Sequence, residues 1–157
     1  MNEKAYLVLN DGSVFPGYGF GALETGGEQS FGEVVFCTSM TGYQEMLTDP
    51  SFAGQIVVPT YPLQGNYGIN DENIESKQIQ VAGFVVRDQS MTPSHYNSEG
   101  TLHSYLADQG IPGIWGVDTR AITRRIRSTG VLMGALTTGD PNLALRHLKE
   151  RPAYDSV

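Results

Sequence analysis

The apolar residues of this chain change their period part-way along it, and that change restricts the fold more than any other feature. From residue 5 to residue 87 they come in short strand-like runs: Ala5 to Leu9, Val14-Phe15 continuing into Pro16 to Gly21, Phe31 to Thr38, Ile56 to Pro59 and Ile79 to Arg87. From Thr101 onward, strand runs alternate with amphipathic stretches. Leu102, Tyr105 and Leu106 share one helical face that ends at Gln109-Gly110. Ile122 and Ile126 lie one turn apart in a helix that Asp118 can cap and Gly130 can stop, and Asp140-Pro141 opens a third helix running to about Glu150. Ile114 to Val117 and Val131 to Thr137 are the strands between them. Strands first, then helix alternating with strand, predict a mixed α/β domain whose helices, concentrated in the second half, cover a mixed sheet.

Turn residues punctuate this pattern. Asn10-Asp11-Gly12-Ser13 is a hairpin signal between the first two strands. Tyr43, Met46 and Leu47 allow a short helix from Gly42 to Thr48, which Asp49-Pro50 ends because the residue before proline disfavours the α region. Leu23 to Ser30 reads as a Gly- and Glu-rich loop, and Tyr61 to Ser76 as a long polar one of the kind that is often functional. There are 19 glycines, where an average usage of about 7% would give roughly 11. The excess suggests tight turns and close backbone approaches rather than disorder. The alternation in Pro16 to Gly21 resembles a dinucleotide fingerprint, but its spacing is wrong and no helix pattern follows, so a glycine-kinked or bulged strand is expected.

A chain of 157 residues is one domain by length and can bury a real core without staples. Its single cysteine, Cys37, leaves no intramolecular disulfide framework and fits a reducing cytoplasm. No secretory leader is visible, and no apolar run approaches the ~20 residues that span a bilayer, so no membrane partner is expected. The net charge of -7 argues against nucleic acid as the main partner. Against that acidity, Arg120, Arg124, Arg125 and Arg127 cluster on one helix. They form either a solvated face that pairs locally with Asp118 and other acids, or a protein–protein contact.

Candidate chemistry is sparse. An activated thiol wants a helix N-terminus or a neighbouring histidine; Cys37 ends an apolar strand with neither, and reads as a small buried hydrophobe. His95, His103 and His147 have no metal-ligand spacing, and with no second cysteine no structural zinc site is expected. There is no Gly-x-Ser-x-Gly elbow for a serine hydrolase and no phosphate-binding Gly-x-x-x-x-Gly-Lys loop. Glu72 and Glu75 read as solvated loop carboxylates. Ser51, just after Asp49-Pro50, can offer a backbone N–H and a hydroxyl to a carboxylate or carboxamide, but the plainer reading is a turn serine bonded to its own backbone.

Between Gly32 and Gly68 the chain carries Gly-Glu-Val-Val-Phe-Cys-Thr-Ser-Met-Thr-Gly-Tyr-Gln-Glu-Met-Leu-Thr-Asp-Pro-Ser-Phe, then Gly54 to Val57, Thr60-Tyr61-Pro62 and Gly65-Asn66-Tyr67-Gly68. Leu9-Asn10-Asp11-Gly12 precedes it; Gly83 to Arg87 and Gly113-Ile-Trp-Gly-Val-Asp-Thr-Arg120, continuing to Arg127, follow it. These motifs, in this order and over nearly the whole chain, resemble the amino-terminal domain of the carbamoyl-phosphate synthase small-subunit family. Two positions depart from the family pattern: Cys37 and His95 stand where asparagine is common. The first departure puts in doubt any polar role of that side chain, such as orienting the adjacent loop.

The resemblance implies a three-layer β/β/α "swivelling" fold over residues 1–157, with no glutaminase domain in the chain. It implies a share in a glutamine amidotransferase and ligase whose nucleophilic cysteine lies in a second, Cys-His-Glu domain, so that this chain alone holds no catalytic residue and hydrolyses no glutamine. The implied partners are the large subunit, forming a heterodimer, the glutaminase domain and L-glutamine. No cofactor is implied in this domain; ATP with Mg or Mn belongs to the large subunit, which makes carbamoyl phosphate from bicarbonate and the released ammonia. The setting is cytoplasmic arginine and pyrimidine biosynthesis. Carried over residue by residue, Ser51 becomes a contact to the substrate glutamine and Ser39 part of the wall of an ammonia passage. The alternative is a free-standing, non-catalytic binding module that keeps the docking surface.

Overall fold

The computed structural model describes residues 4–25, 30–38, 43–60, 78–87 and 102–150. Seven strands close into one barrel in the order β1-β2-β6-β5-β4-β3-β7. They are β1 (Lys4–Leu9), β2 (Val14–Gly21), β3 (Ser30–Cys37), β4 (Ile56–Pro59), β5 (Gly83–Val85), β6 (Pro112–Trp115) and β7 (Leu132–Thr137). Strands β3, β4, β5 and β6 run parallel to one another; β2 and β7 join them antiparallel, and β1 pairs antiparallel with both β2 and β7. Among the described residues four helices accompany the barrel: α1 (Tyr43–Thr48), α2 (Leu102–Asp108), α3 (Thr119–Thr129) and α4 (Pro141–Glu150). The mixed α/β architecture, with its three longer helices in the second half, is the one the apolar periods predict.

Side-chain alternation sorts each strand into an inner and an outer face. Ala5, Leu7 and Leu9 of β1 meet Val34, Ile56, Val58, Val85, Ile114, Leu132 and Leu136 inside the barrel. The outer face has two covers. Helix α4 lays Ala144 and Leu148 on Val8 and Ala135. Helices α1 and α2 bring Met46, Leu47, Tyr105 and Leu106 against Phe20, Val57 and Phe84. Both ends of the interior are stoppered by single elements. Ile122 and Ile126 of α3 close the end where the parallel strands finish, and Leu23 joins the interior cluster from the opposite end, beyond β2. A 3-10 turn, Ala22–Thr25, carries that leucine, in place of the first part of the loop expected from Leu23 to Ser30.

Two expected strands differ in extent by two residues or more. The run from Ile79 to Arg87 yields only Gly83–Val85. Ile79 and Val81 are buried in the outer cluster instead, and their segment's backbone bonds go elsewhere: the Ile79 N–H donates to Gln109 Oε1 (2.7 Å), the Gln80 N–H to the Leu47 carbonyl (2.8 Å) and the Ala82 N–H to the Gln55 carbonyl (2.8 Å). Burial can thus be satisfied without a ladder. The strand expected from Ile114 to Val117 starts two residues earlier, at Pro112, an allowed place for proline because a first strand residue needs no ladder N–H. It stops at Trp115, because Gly116 takes φ +80° and turns Val117 into the interior. Strand β3 begins at Ser30, whose hydroxyl donates to the Ala82 carbonyl at 2.9 Å.

The interior leaves no room at Gly134. A Cβ built there would lie 2.5 Å from Val34 Cγ2 and 3.3 Å from both Leu7 Cδ1 and Leu9 Cδ2. Overpacking of this kind typically costs about 1–3 kcal/mol. Gly134→Ala is therefore expected to lower the denaturation midpoint without changing the slope of the transition, measured by urea unfolding followed by circular dichroism; an unchanged midpoint would mean that the three strands part easily.

Candidate functional site

Helix α1 carries the chain from the carboxyl end of β3 back to the amino end of β4, and the turn that completes this return holds Asp49, Pro50 and Ser51. Pro50–Phe52 forms a single 3-10 turn capped by Asp49, whose backbone is extended at φ -71° and ψ 119°, as the following proline requires. Proline has no N–H, so the first free donor of the turn is Ser51, and its N–H donates to Asp49 Oδ1 at 2.9 Å. Ser51 is exposed.

The turn beneath it is fixed. The Phe52 N–H donates to the Asp49 carbonyl (3.0 Å) and the Ala53 N–H to the Pro50 carbonyl (3.1 Å). Gly54 donates to the Gln80 carbonyl (3.0 Å), and the Phe52 ring packs on the outer cluster. The segment 78–82 thus clamps the turn to α1 and β4 at once, because Gln80 bonds both Leu47 and Gly54. Charge assists as well. The Ser51 N–H above all holds the Asp49 carboxyl below the ordinary carboxylate value of 3.8, because a donated bond favours the ionised acceptor.

Of the residues expected to carry function, only Ser51 falls on described structure. Ser39, the Tyr61 to Ser76 loop with Glu72 and Glu75, and the Pro93 to Tyr96 segment with His95 lie outside the described residues. Thr38, the last described residue before Ser39, is at the carboxyl end of the parallel strands, and the Ser51 turn is at their amino end. Cys37 is 7% exposed, sits in the outer cluster with Met46, Leu47 and Val57, and is a buried hydrophobe as its strand position predicts. Its carbonyl, not its sulfur, is the polar contact: it accepts from the Thr60 N–H (2.9 Å) and the Thr60 hydroxyl (3.1 Å). Burial raises the Tyr105 phenol, with the Gln109 side chain offsetting part of the shift, so it stays protonated at neutral pH. Sequence reasoning missed Asp49 as more than a helix stop. Its signal was present in Asp-Pro-Ser, where an aspartate two residues ahead of a backbone N–H can close a side-chain turn.

The arginine helix is neither fully solvated nor paired with Asp118. Asp118 caps α3, accepting the Ala121 N–H at 3.2 Å. Arg125 reaches the β1–β2 turn, where its Nε donates to Asp11 Oδ2 at 2.8 Å. The Arg127 guanidinium lies over the Phe36 ring, 5.6 Å from its centroid. Arg120 and Arg124 are exposed. Among the described residues no group of three His, Cys, Asp or Glu side chains converges as a metal site, and no helix is long and apolar enough to cross a membrane.

Asp11 makes the electrostatics of this end testable. Partial burial raises its carboxyl, but bonds from the Ser13 N–H and hydroxyl and the Arg125 guanidinium outweigh that, and the net shift is downward. A carboxyl depressed in the folded state stabilises above its unfolded value and loses that contribution as pH falls through the folded value. Asp11→Asn keeps an acceptor for Ser13 and removes the ion pair. Since Arg125 is half exposed, the expected loss is under about 1 kcal/mol at neutral pH. The difference from the parent chain should shrink as pH falls below 3.8 and vanish below the depressed folded value, read by urea midpoints across pH; a difference that persists at the acid limit would assign it to packing.

The family model described as "Carbamoyl-phosphate synthase small chain, CPSase domain" matches residues 7–136. Three curated relatives, each named carbamoyl phosphate synthase small chain, agree with it. The Fusobacterium nucleatum protein is 55% identical over 137 residues, 87% of this chain and 37% of that one. The Aquifex aeolicus protein is 50% identical over 155 residues, covering 97% and 40%. The Thermotoga maritima protein is 52% identical over 155 residues, covering 98% and 38%. The chain spans about two fifths of the length of these relatives.

Proposed function

Because the chain belongs to the carbamoyl-phosphate synthase small-chain family, we propose that it serves as the amino-terminal domain of the glutamine-hydrolysing subunit of that ligase. What carries the reading is the match over residues 7–136 together with the Thr48-Asp49-Pro50-Ser51 turn, which presents an exposed serine on a clamped frame. In this role the domain docks on the large subunit in a heterodimer, completes the glutamine pocket through Ser51, and through Ser39 helps to wall the route that ammonia takes. The three-layer β/β/α swivelling description of the fold goes with the assignment; a mixed seven-stranded sheet with helices packed on its outside supports it.

Enclosing the ammonia has a physical purpose. Ammonia released into water at neutral pH is protonated, and ammonium has no lone pair with which to attack a carbonyl-level carbon. The large subunit supplies ATP with its Mg or Mn and joins the ammonia to bicarbonate, so this domain needs no cofactor of its own. Its setting is the cytoplasm, in arginine and pyrimidine biosynthesis. Glutamine hydrolysis through a thioester needs an activated thiol, and Cys37 is a buried strand residue.

The 157-residue chain, purified alone, is therefore expected to release no glutamate from glutamine and to hydrolyse no ATP. Cys37-dependent release of glutamate would overturn the division of labour. In the full-length subunit assembled with its large partner, Ser51→Ala should cut kcat/KM for glutamine roughly 2- to 13-fold, the range for one lost neutral hydrogen bond, and leave ammonia-dependent synthesis nearly unchanged. Equal damage to both nitrogen sources would instead make Ser51 a folding or docking residue.

A further inference from the structure

We propose that Asp49 is a positioning residue for the substrate contact of Ser51, holding the serine's backbone in the one arrangement that glutamine meets. The proposal rests on the glutamine role of Ser51 given above and adds the residue through which that role is set. Three observations carry it. The Asp49 carboxylate accepts the Ser51 N–H at 2.9 Å, so one side chain fixes the peptide plane that carries the serine. Pro50 holds Asp49 in the extended conformation that points a capping carboxylate over the turn, and has no N–H of its own to compete with Ser51 for it. The remaining turn bonds are made by backbone alone, from Phe52, Ala53 and Gly54, so the frame does not depend on the aspartate.

With its N–H held on Asp49 the backbone of this exposed serine is already ordered, and less of the binding energy goes into ordering it when substrate arrives. The downward shift of the Asp49 carboxyl agrees with this, since the Ser51 N–H, its largest cause, favours the ionised acceptor. What matters for positioning is an acceptor at this place, not a charge. Asparagine caps a turn about as well as aspartate, and alanine does not.

The test uses the full-length subunit assembled with its large partner and compares Asp49→Ala, Asp49→Asn and Ser51→Ala with L-glutamine and with ammonium as nitrogen sources. Asp49→Ala should raise KM for glutamine roughly 2- to 13-fold, with kcat at saturating glutamine and ammonia-dependent synthesis unchanged. Asp49→Asn should restore KM to within about twofold of the parent. An unchanged KM in Asp49→Ala beside a raised one in Ser51→Ala overturns the proposal and leaves the role of Ser51 standing. A fall in both activities also overturns it, because Asp49 then supports folding or assembly, and so does an Asp49→Asn variant as impaired as the alanine, because charge would then be the agent. If Ser51→Ala itself leaves glutamine use untouched, the glutamine role of Ser51 fails first and the proposal falls with it.

Discussion

The closure of the sheet by β7 is the constraint on which the rest of the molecule depends. The last strand lies between β1 and β3, with Leu136 facing Leu7 on one side and Ser30 on the other. Without it, β1–β2 and β3–β4–β5–β6 would meet only through β2 and β6, and the interior would open along two unpaired edges. Closure has a steric condition that the sequence meets with glycine at 134, where the strand passes within contact of Val34, Leu7 and Leu9. It also has a condition at the ends: α3 and Leu23 must stopper the barrel before the inward residues are dry.

That frame explains why an exposed turn can be definite in shape. The Asp49–Ser51 turn sits at the amino end of β4, and its backbone is tied to α1, to β4 and to the segment 78–82 by main-chain bonds. Ile79 and Val81 bury themselves beneath it in the outer cluster, which is why that segment forgoes a strand ladder. A serine on such a turn presents the same backbone each time, and pre-organisation of this kind lowers the ordering cost of any contact it makes. The opposite end of the barrel is organised by charge as well as packing. There α3, which contains no acidic residue, spends Arg125 on the β1–β2 turn and Arg127 on Phe36, and leaves Arg120 and Arg124 exposed on a chain of net charge -7.

Much of this was legible in the residues themselves. The hairpin at Asn10–Ser13, the helix stopped at Asp49-Pro50, the Asp118 and Gly130 ends of α3 and the Asp140-Pro141 start of α4 are local events, decided by one or two side chains acting on neighbouring backbone, and they stand where the sequence predicts them. The burial of Cys37 was legible for the same reason, since an alternating strand assigns its face. The family, too, was written in motifs that need no coordinates. Tertiary structure alone decided that the strands close into a barrel, that Ile79 and Val81 are buried without pairing, that β6 begins at Pro112, that Arg125 meets Asp11 rather than Asp118, and that Asp49 grips Ser51 with its carboxylate. The reason is one of range: capping and turn formation are settled within a few residues, whereas strand order, the fate of a buried backbone and the partner of a long side chain depend on which distant segments share the same space.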